Sequence, residues 1–228
     1  MTLPKTKTTT RKFYGKWLYK VSLHLEGCSL YRMRSITEIK VILSQEAPPG
    51  RWGTYTAAWR AWNNRALLEP FFTLLEQYSK DTFNIRIEGA NLDLYTNDSA
   101  IYEKFSNEFS GQVIHRFAPE ETSLDLLNEN SNYIVVKKLP KDRYRYRVYL
   151  KPHKMANDIE GKTNFIKWIK AQDGRITCSE TLESWFIATN WNWDRRYVLV
   201  EDESTLLMLK LRSSDAVGRI YNFVVSDK

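Results

Sequence analysis

LDLYTNDSAIYEKFSNEFSGQVIHRF at residues 92–117 and RRYVLVEDESTLLMLKLRSSDAVGRIYNFVV at residues 195–225 carry the same punctuation. Each opens on a run with strand-like apolar alternation, meets an acid suited to a helix N-cap at Asp98 or Asp202, and continues at helical spacing. Each then starts a second alternating run just after a glycine, Gly111 or Gly218. Strand, capped helix, strand is the expectation for both. An Asp side chain accepts the unpaired N–H groups of a helix's first turn, and glycine ends a helix without steric cost. Two copies roughly 100 residues apart suggest duplication of one supersecondary unit.

Upstream of the first copy, FNIRIE and LDLYT flank a GAN turn and predict a hairpin. Before it, residues 56–80 place Trp59, Trp62, Ala66, Phe71, Leu74, Leu75 and Tyr78 on a helical face, with Pro70 marking a kink or a restart. Residues 16–26, KWLYKVSLHLE, alternate as a strand with one buried face, and a further strand is expected at 36–43. The order is strand, helix, strand, strand, helix, strand.

The second half repeats it. NYIVVKK, the LPKD turn and RYRYRVYLK predict a hairpin in which Tyr146–Leu150 echoes Tyr19–Leu23. A helix is expected at TNFIKWIKAQ, closed by Gly174. A strand follows near TLESWFIAT, with a helix pairing Leu182 to Trp185 and Phe186 as the alternative. The prediction is an α+β protein, a tandem repeat of a ferredoxin-like (βαββαβ, split βαβ) unit whose antiparallel sheets are each covered by helices on one face. Its parts are a basic N-terminal arm at 1–15, a first lobe at 16–118, a linker carrying a short helix at 119–131, and a second lobe at 132–228.

The 228 residues are 43% hydrophobic and 14% aromatic with 9 Gly and 7 Pro, which excludes a collagen-like or mainly disordered chain. No stretch approaches the roughly 18–20 apolar residues of a membrane span, and the N-terminus lacks the apolar core of a signal peptide. A cytoplasmic protein, or one carried in a virion, is therefore expected rather than a secreted one. Cys28 and Cys178 lack the spacing of a disulfide framework or a zinc site. The residues call for neither metal nor cofactor.

The net charge of +7 is concentrated. Residues 1–20 hold Lys5, Lys7, Arg11, Lys12, Lys16 and Lys20 with no acid, and residues 137–154 hold Lys137, Lys138, Lys141, Arg143, Arg145, Arg147, Lys151 and Lys154 against Asp142 alone. Period 2 puts Arg143, Arg145, Arg147, Tyr149 and Lys151 on one strand face and Tyr144, Tyr146, Val148 and Leu150 on the other. Guanidinium groups then recur every ~7 Å, a spacing suited to the phosphates of a single strand, and Tyr149 offers a ring for a base. An aggregation-blocking charged edge strand has the same look. Trp191 and Trp193, in a turn before Arg195, suit base stacking or a protein interface.

Other chemistry is weaker. ANDIEGKT at 156–163 approaches a phosphate-loop pattern, but Asp158 and Glu160 would point negative charge at the phosphates. RIEGANLD and RRYVLVED lack the second-position glycine and the paired aromatics that the RNA-recognition octapeptide requires. His24 and His115 lie in strands. His153 follows the basic strand, where it would serve as an acid or base in metal-independent RNA cleavage with Tyr149 or Lys154 beside it. Asp93, Asp98 and Glu201–Glu203 resemble a metal cluster, yet Asp98 and Asp202 fall where caps belong.

The leading expectation is a non-catalytic binder of single-stranded or structured nucleic acid, RNA before DNA, through the 137–154 strand and the basic arm. An assembly subunit of a viral or ribonucleoprotein particle is the second, and a small endoribonuclease the third.

Overall fold

Alternation in the sequence becomes two five-stranded sheets in the computed structural model, which describes residues 3–46, 57–151, 158–187 and 196–226. The chain divides into two compact units, Met1–Glu120 and Glu121–Lys228. The first contains β1 (Thr6–Thr9), β2 (Tyr19–His24), α1 (Ile36–Leu43), α2 (Ala57–Asn63), α3 (Arg65–Leu75), β3 (Phe83–Glu88), β4 (Asn91–Thr96), α4 (Ser99–Glu108) and β5 (Val113–Pro119). Its strand order is β1-β5-β2-β4-β3, with β1 parallel to β5 and the other neighbours antiparallel.

The second unit contains α5 (Leu124–Glu129), β6 (Tyr133–Val136), β7 (Tyr146–Leu150), α6 (Ile159–Lys170), β8 (Ile176–Thr177), α7 (Glu180–Ile187), β9 (Tyr197–Val200), α8 (Glu203–Ser213) and β10 (Val217–Val225). Its order, β6-β10-β7-β9-β8, is the same arrangement, again with one parallel pair, β6 with β10. The registers correspond too. Tyr19 pairs with Thr96 and Tyr146 with Val200, and two residues beyond each partner stands the acid that caps the next helix. Asp98 accepts from the N–H groups of Ala100 and Ile101, and Asp202 from that of Thr205. Lys20 faces Phe117 where Arg147 faces Tyr221.

Each sheet packs helices on one face. Val21, Leu23, Leu92 and Leu94 meet Phe71 and Phe72 of α3 and Phe105 of α4 in the first core. Val148, Leu150, Val198 and Val200 meet Phe165 and Ile166 of α6, Phe186 of α7 and Leu206 and Leu209 of α8 in the second. Each such side chain contributes about 1.5–3 kcal/mol of transfer free energy on burial.

Four local expectations change. Residues 36–43 are helix α1, because Ser35 accepts from the Glu38 N–H while the Glu38 carboxylate takes the Ser35 N–H; Ile39 and Leu43, one turn apart, are its buried residues. The break in the long helix falls at Asn64, whose Nδ2 donates to the Arg60 carbonyl at 2.9 Å, and Pro70 lies inside α3. Residues 180–187 form α7, which buries Leu182, Trp185 and Phe186 on one helical face, so the strand expected there is absent. Strands β6 and β7 are not a hairpin. β10 lies between them, and the 137–145 connection, bent by Lys141 and Asp142 at φ 50° and 56°, carries the chain past it.

The stretch read as a basic arm contains β1, the edge strand of the first sheet, and the linker stretch contains α5. The 83–96 hairpin forms as predicted, with Gly89 supplying a φ of 63° in its two-residue turn. No helix among the described residues is long and apolar enough to cross a membrane.

Candidate nucleic-acid interface

On the side of the second sheet opposite helices α6–α8, alternation places Arg147 and Tyr149 of β7, Tyr197 and Leu199 of β9, and Arg219, Tyr221 and Phe223 of β10. Ile134 and Val136 of β6 complete the face. None of these residues is acidic. Tyr149 stands 5.7 Å from the Tyr197 ring and 5.8 Å from the Tyr221 ring, tilted to both. The Arg147 guanidinium lies between two rings, 4.5 Å from Tyr197 and 5.2 Å from Phe223. Cations are held over aromatic faces by the ring quadrupole. Arg219 donates from Nη1 to the Tyr221 hydroxyl at 3.1 Å. Tyr221 and Phe223 are buried, Tyr149 is half-buried, and Tyr197 is 37% exposed.

Arg147 and Arg219 make no ion pair among the described residues. The buried Nε of Arg147 has no hydrogen-bond partner there either. A half-buried guanidinium without an acceptor is a group whose desolvation is offset only by its rings, and a phosphate oxygen is the acceptor its geometry suits. At the bulge that precedes Arg219, Gly218 is required. A Cβ there would meet the Tyr149 carbonyl oxygen at 2.8 Å.

The connection from β6 to β7 borders this face. Leu139 packs onto the cluster of Ile134, Tyr221 and Phe223, while Lys137, Lys138, Lys141, Arg143 and Arg145 are exposed. Two of these cations are engaged at the surface: Arg143 with Glu201 at 2.6 Å and Lys138 with Asp142 at 3.4 Å. The strand predicted over 143–151 is thus a strand only from Tyr146 onward. The alternation nonetheless holds throughout, with Tyr144, Val148 and Leu150 buried and Arg143, Arg145 and Lys151 exposed.

Lys5, Lys7, Arg11 and Lys12 belong to the first unit. Lys7 leans on the Phe117 ring at 5.6 Å with its Nζ 3.4 Å from His115 Nδ1. Lys154, His153, Trp191, Trp193 and Arg195 lie outside the described residues. Tyr197, Arg219, Tyr221 and Phe223 were not singled out in the sequence. Their signal is the period-2 series Arg219, Tyr221, Phe223, which gains meaning only once β10 is known to sit beside β7.

The corresponding face of the first sheet is built differently. Lys20, at the position of Arg147, bonds Asp93 at 2.7 Å; Ser22 donates to the same carboxylate at 2.6 Å and Tyr95 at 3.0 Å. Burial and the nearby Asp93 charge hold the Tyr95 phenol well above its usual range, so it remains the donor. Arg86 pairs with Glu88 and donates to the Tyr14 hydroxyl. The loop from β1 to β2 lays Phe13 against Tyr95 and Phe117, at 5.5 and 5.9 Å, and Tyr14 against Tyr95 at 5.2 Å.

Two other constellations have structural work. Asp158 caps α6 by accepting the Gly161 N–H at 2.7 Å, which fills the position a phosphate would take, and Lys162 is buried against the Trp185 ring. Cys28 and Cys178 are unlinked thiols, both pushed up to about 11 by burial.

Comparison with protein-family models, curated proteins and solved structures finds no match to this chain.

Proposed function

We propose that the chain is a nucleic-acid-binding protein that acts without catalysis, through the second sheet's face of Arg147, Tyr149, Tyr197 and Arg219 and the basic connection beside it. The observation that carries this reading is a contrast of charge. On the first sheet Lys20 and Arg86 have carboxylate partners, with only Lys7 of the edge strand lacking one among the described residues, whereas Arg147 and Arg219 stand among aromatic rings and make no ion pair there, the acid that follows β9, Glu201, being taken by Arg143. Lys137, Lys141 and Arg145, exposed on the bordering loop, extend the positive surface. Arginine forks that match phosphate geometry, interleaved with rings, are what a nucleic-acid surface needs.

The fold supports this reading by giving the platform a scaffold. The orders β5-β2-β4-β3 and β10-β7-β9-β8 each contain two split βαβ crossovers, which we read as a tandem ferredoxin-like unit with one strand added at the edge. Helices occupy one face of such a sheet, and the other serves for contact.

The test is a fluorescence-anisotropy titration with labelled RNA and DNA over a salt series. Wild type is expected to bind with a log–log salt slope near −0.7 per phosphate contacted on a single strand. An Arg147→Ala/Arg219→Ala variant should lose most affinity and Lys20→Ala little. Absence of binding at low salt to any nucleic acid overturns the proposal.

A further inference from the structure

We infer that the ligand of this face is an unpaired strand whose neighbouring bases stack on Tyr197 and Tyr149 while Arg147 and Arg219 hold the phosphates beside them. This rests on the proposed function and narrows it to one substrate class.

The lattice of the sheet sets the geometry. Tyr197 and Tyr149 are paired across β9 and β7, in the row next to the one that holds Leu199, Arg147 and Tyr221. Adjacent strands lie about 4.8 Å apart, and a two-residue step along a strand is about 7 Å. Rings and guanidinium groups therefore alternate at the scale of one nucleotide. Tyr197 is the most exposed ring of the set, at 37%, with its far side backed by Arg147.

The first unit shows what this lattice accommodates. There, two aromatic rings from the β1–β2 loop lie on the sheet: Phe13 between Tyr95 and Phe117, and Tyr14 against Tyr95. The pairing registers make Leu199 and Tyr221 the counterparts of Tyr95 and Phe117. In the second unit the equivalent loop contributes Leu139 to the cluster, buries Tyr144, and exposes Lys137, Lys138, Lys141, Arg143 and Arg145 with Asp142 as its one acid. Flat aromatic groups therefore lie on the first face one row from the counterparts of Tyr149 and Tyr197, and the cations around these two rings ask that a group lying on the second face come attached to phosphate. A nucleobase in a single strand meets both conditions. In a duplex each base face is already covered by its stacked neighbours, so stacking on protein rings requires unpaired bases.

The experiment uses the full chain and four labelled probes of about 12 nucleotides: single-stranded RNA, single-stranded DNA, the same sequence as a duplex, and a single strand whose central residues are abasic. The single strands should bind well above the duplex and the abasic strand. Tyr197→Ala should weaken single-strand binding by about 5- to 150-fold, the value of one base–aromatic stack, and leave abasic binding unchanged. Tyr197→Phe, which keeps the ring, should bind as wild type and shows that the loss is one of stacking and not of folding. If the wild-type protein binds all four probes equally, the face grips phosphates alone and this inference falls while the proposed function stands. Binding to none removes both.

Discussion

Lys20 and Arg147 occupy the same place in two sheets of the same strand order, and they have opposite circumstances. Each is on the central strand, on the face away from its helices, beside an aromatic residue of the last strand. Across the next strand, however, the counterpart of Asp93 is Tyr197. Asp93 neutralises Lys20 and accepts from Ser22 and Tyr95, so the charge at this position is met by the sheet's own residues. Tyr197 stacks on Arg147 but leaves its charge and its Nε unanswered among the described residues. The fold supplies a lattice of positions, and one residue across the strand decides whether a cation is neutralised by the sheet itself or is left among rings without an acid.

The most direct way to break the contrast is to move that residue. Tyr197→Asp gives the second sheet the acid of the first, within reach of Arg147, and removes the stacking ring. Affinity for single-stranded nucleic acid should fall by about 100-fold or more, combining a lost stack with a neutralised phosphate contact. Anisotropy titration reads the loss, and an unchanged melting temperature shows that the fold persists. If Tyr197→Asp binds as wild type, the face is not the site.

The reverse change sharpens the same point through stability. Asp93→Ala leaves Lys20, Ser22 and Tyr95 without their acceptor on a partly buried face, and a cost of about 1–3 kcal/mol is expected. Chemical denaturation should show it as a lower midpoint with an unchanged slope. Nucleic-acid binding should be unaffected at protein concentrations where the variant is folded.

The symmetry of the two units can be tested at their caps. Asp98→Ala and Asp202→Ala should each cost about 0.5–2 kcal/mol, because each acid satisfies N–H groups in the first turn of an equivalent helix. For Asp202 a pH dependence follows. The Thr205 N–H, with the charge of Arg175 among smaller causes, holds its carboxyl below the ordinary aspartate value. A depressed folded-state pKa contributes stability that is present above the unfolded value of about 3.9 and is lost as pH falls through the folded one. The gap in denaturation midpoint between wild type and Asp202→Asn should therefore be constant near neutrality and close below about pH 4. A gap that persists at low pH would show that the anion is not what caps the helix.

Those caps mark the most legible layer of the sequence. Asp98 and Asp202 each stand two residues past the strand before them, and short-range hydrogen bonding needs nothing from the rest of the chain. Gly89 and the echo of Tyr19–Leu23 in Tyr146–Leu150 were legible for the same reason. The strand misassigned at 36–43 was a local failure. Its Ser35 and Glu38 capping pair was present, but the dense β-branched residues outweighed it. The insertion of β10 between β6 and β7 was not legible, since a pairing between residues about 80 positions apart leaves no mark in a local period. For that reason Arg147 and Tyr149 were identified as candidates while Tyr197 and Arg219 were missed: only the sheet order brings the four together.

The smallest effect concerns Arg143, the one arginine of the basic segment with an acid partner among the described residues. Glu201 holds it at 2.6 Å on the surface, and hydrogen bonding to that carboxylate raises the Arg143 pKa. Arg143 remains charged in either state, so the pair affects availability and not protonation. An exposed pair of this kind contributes little to stability and is screened by salt. Glu201→Gln removes the competing charge without changing the shape of the loop. Arg143 then joins Arg145 and Arg147 as a phosphate contact, and affinity should rise by about two- to fivefold at low salt, with the salt slope steeper by about 0.7. Thermal stability should not change. Should affinity rise with no change in slope, Glu201 acts by long-range repulsion of the phosphates and Arg143 is not a contact.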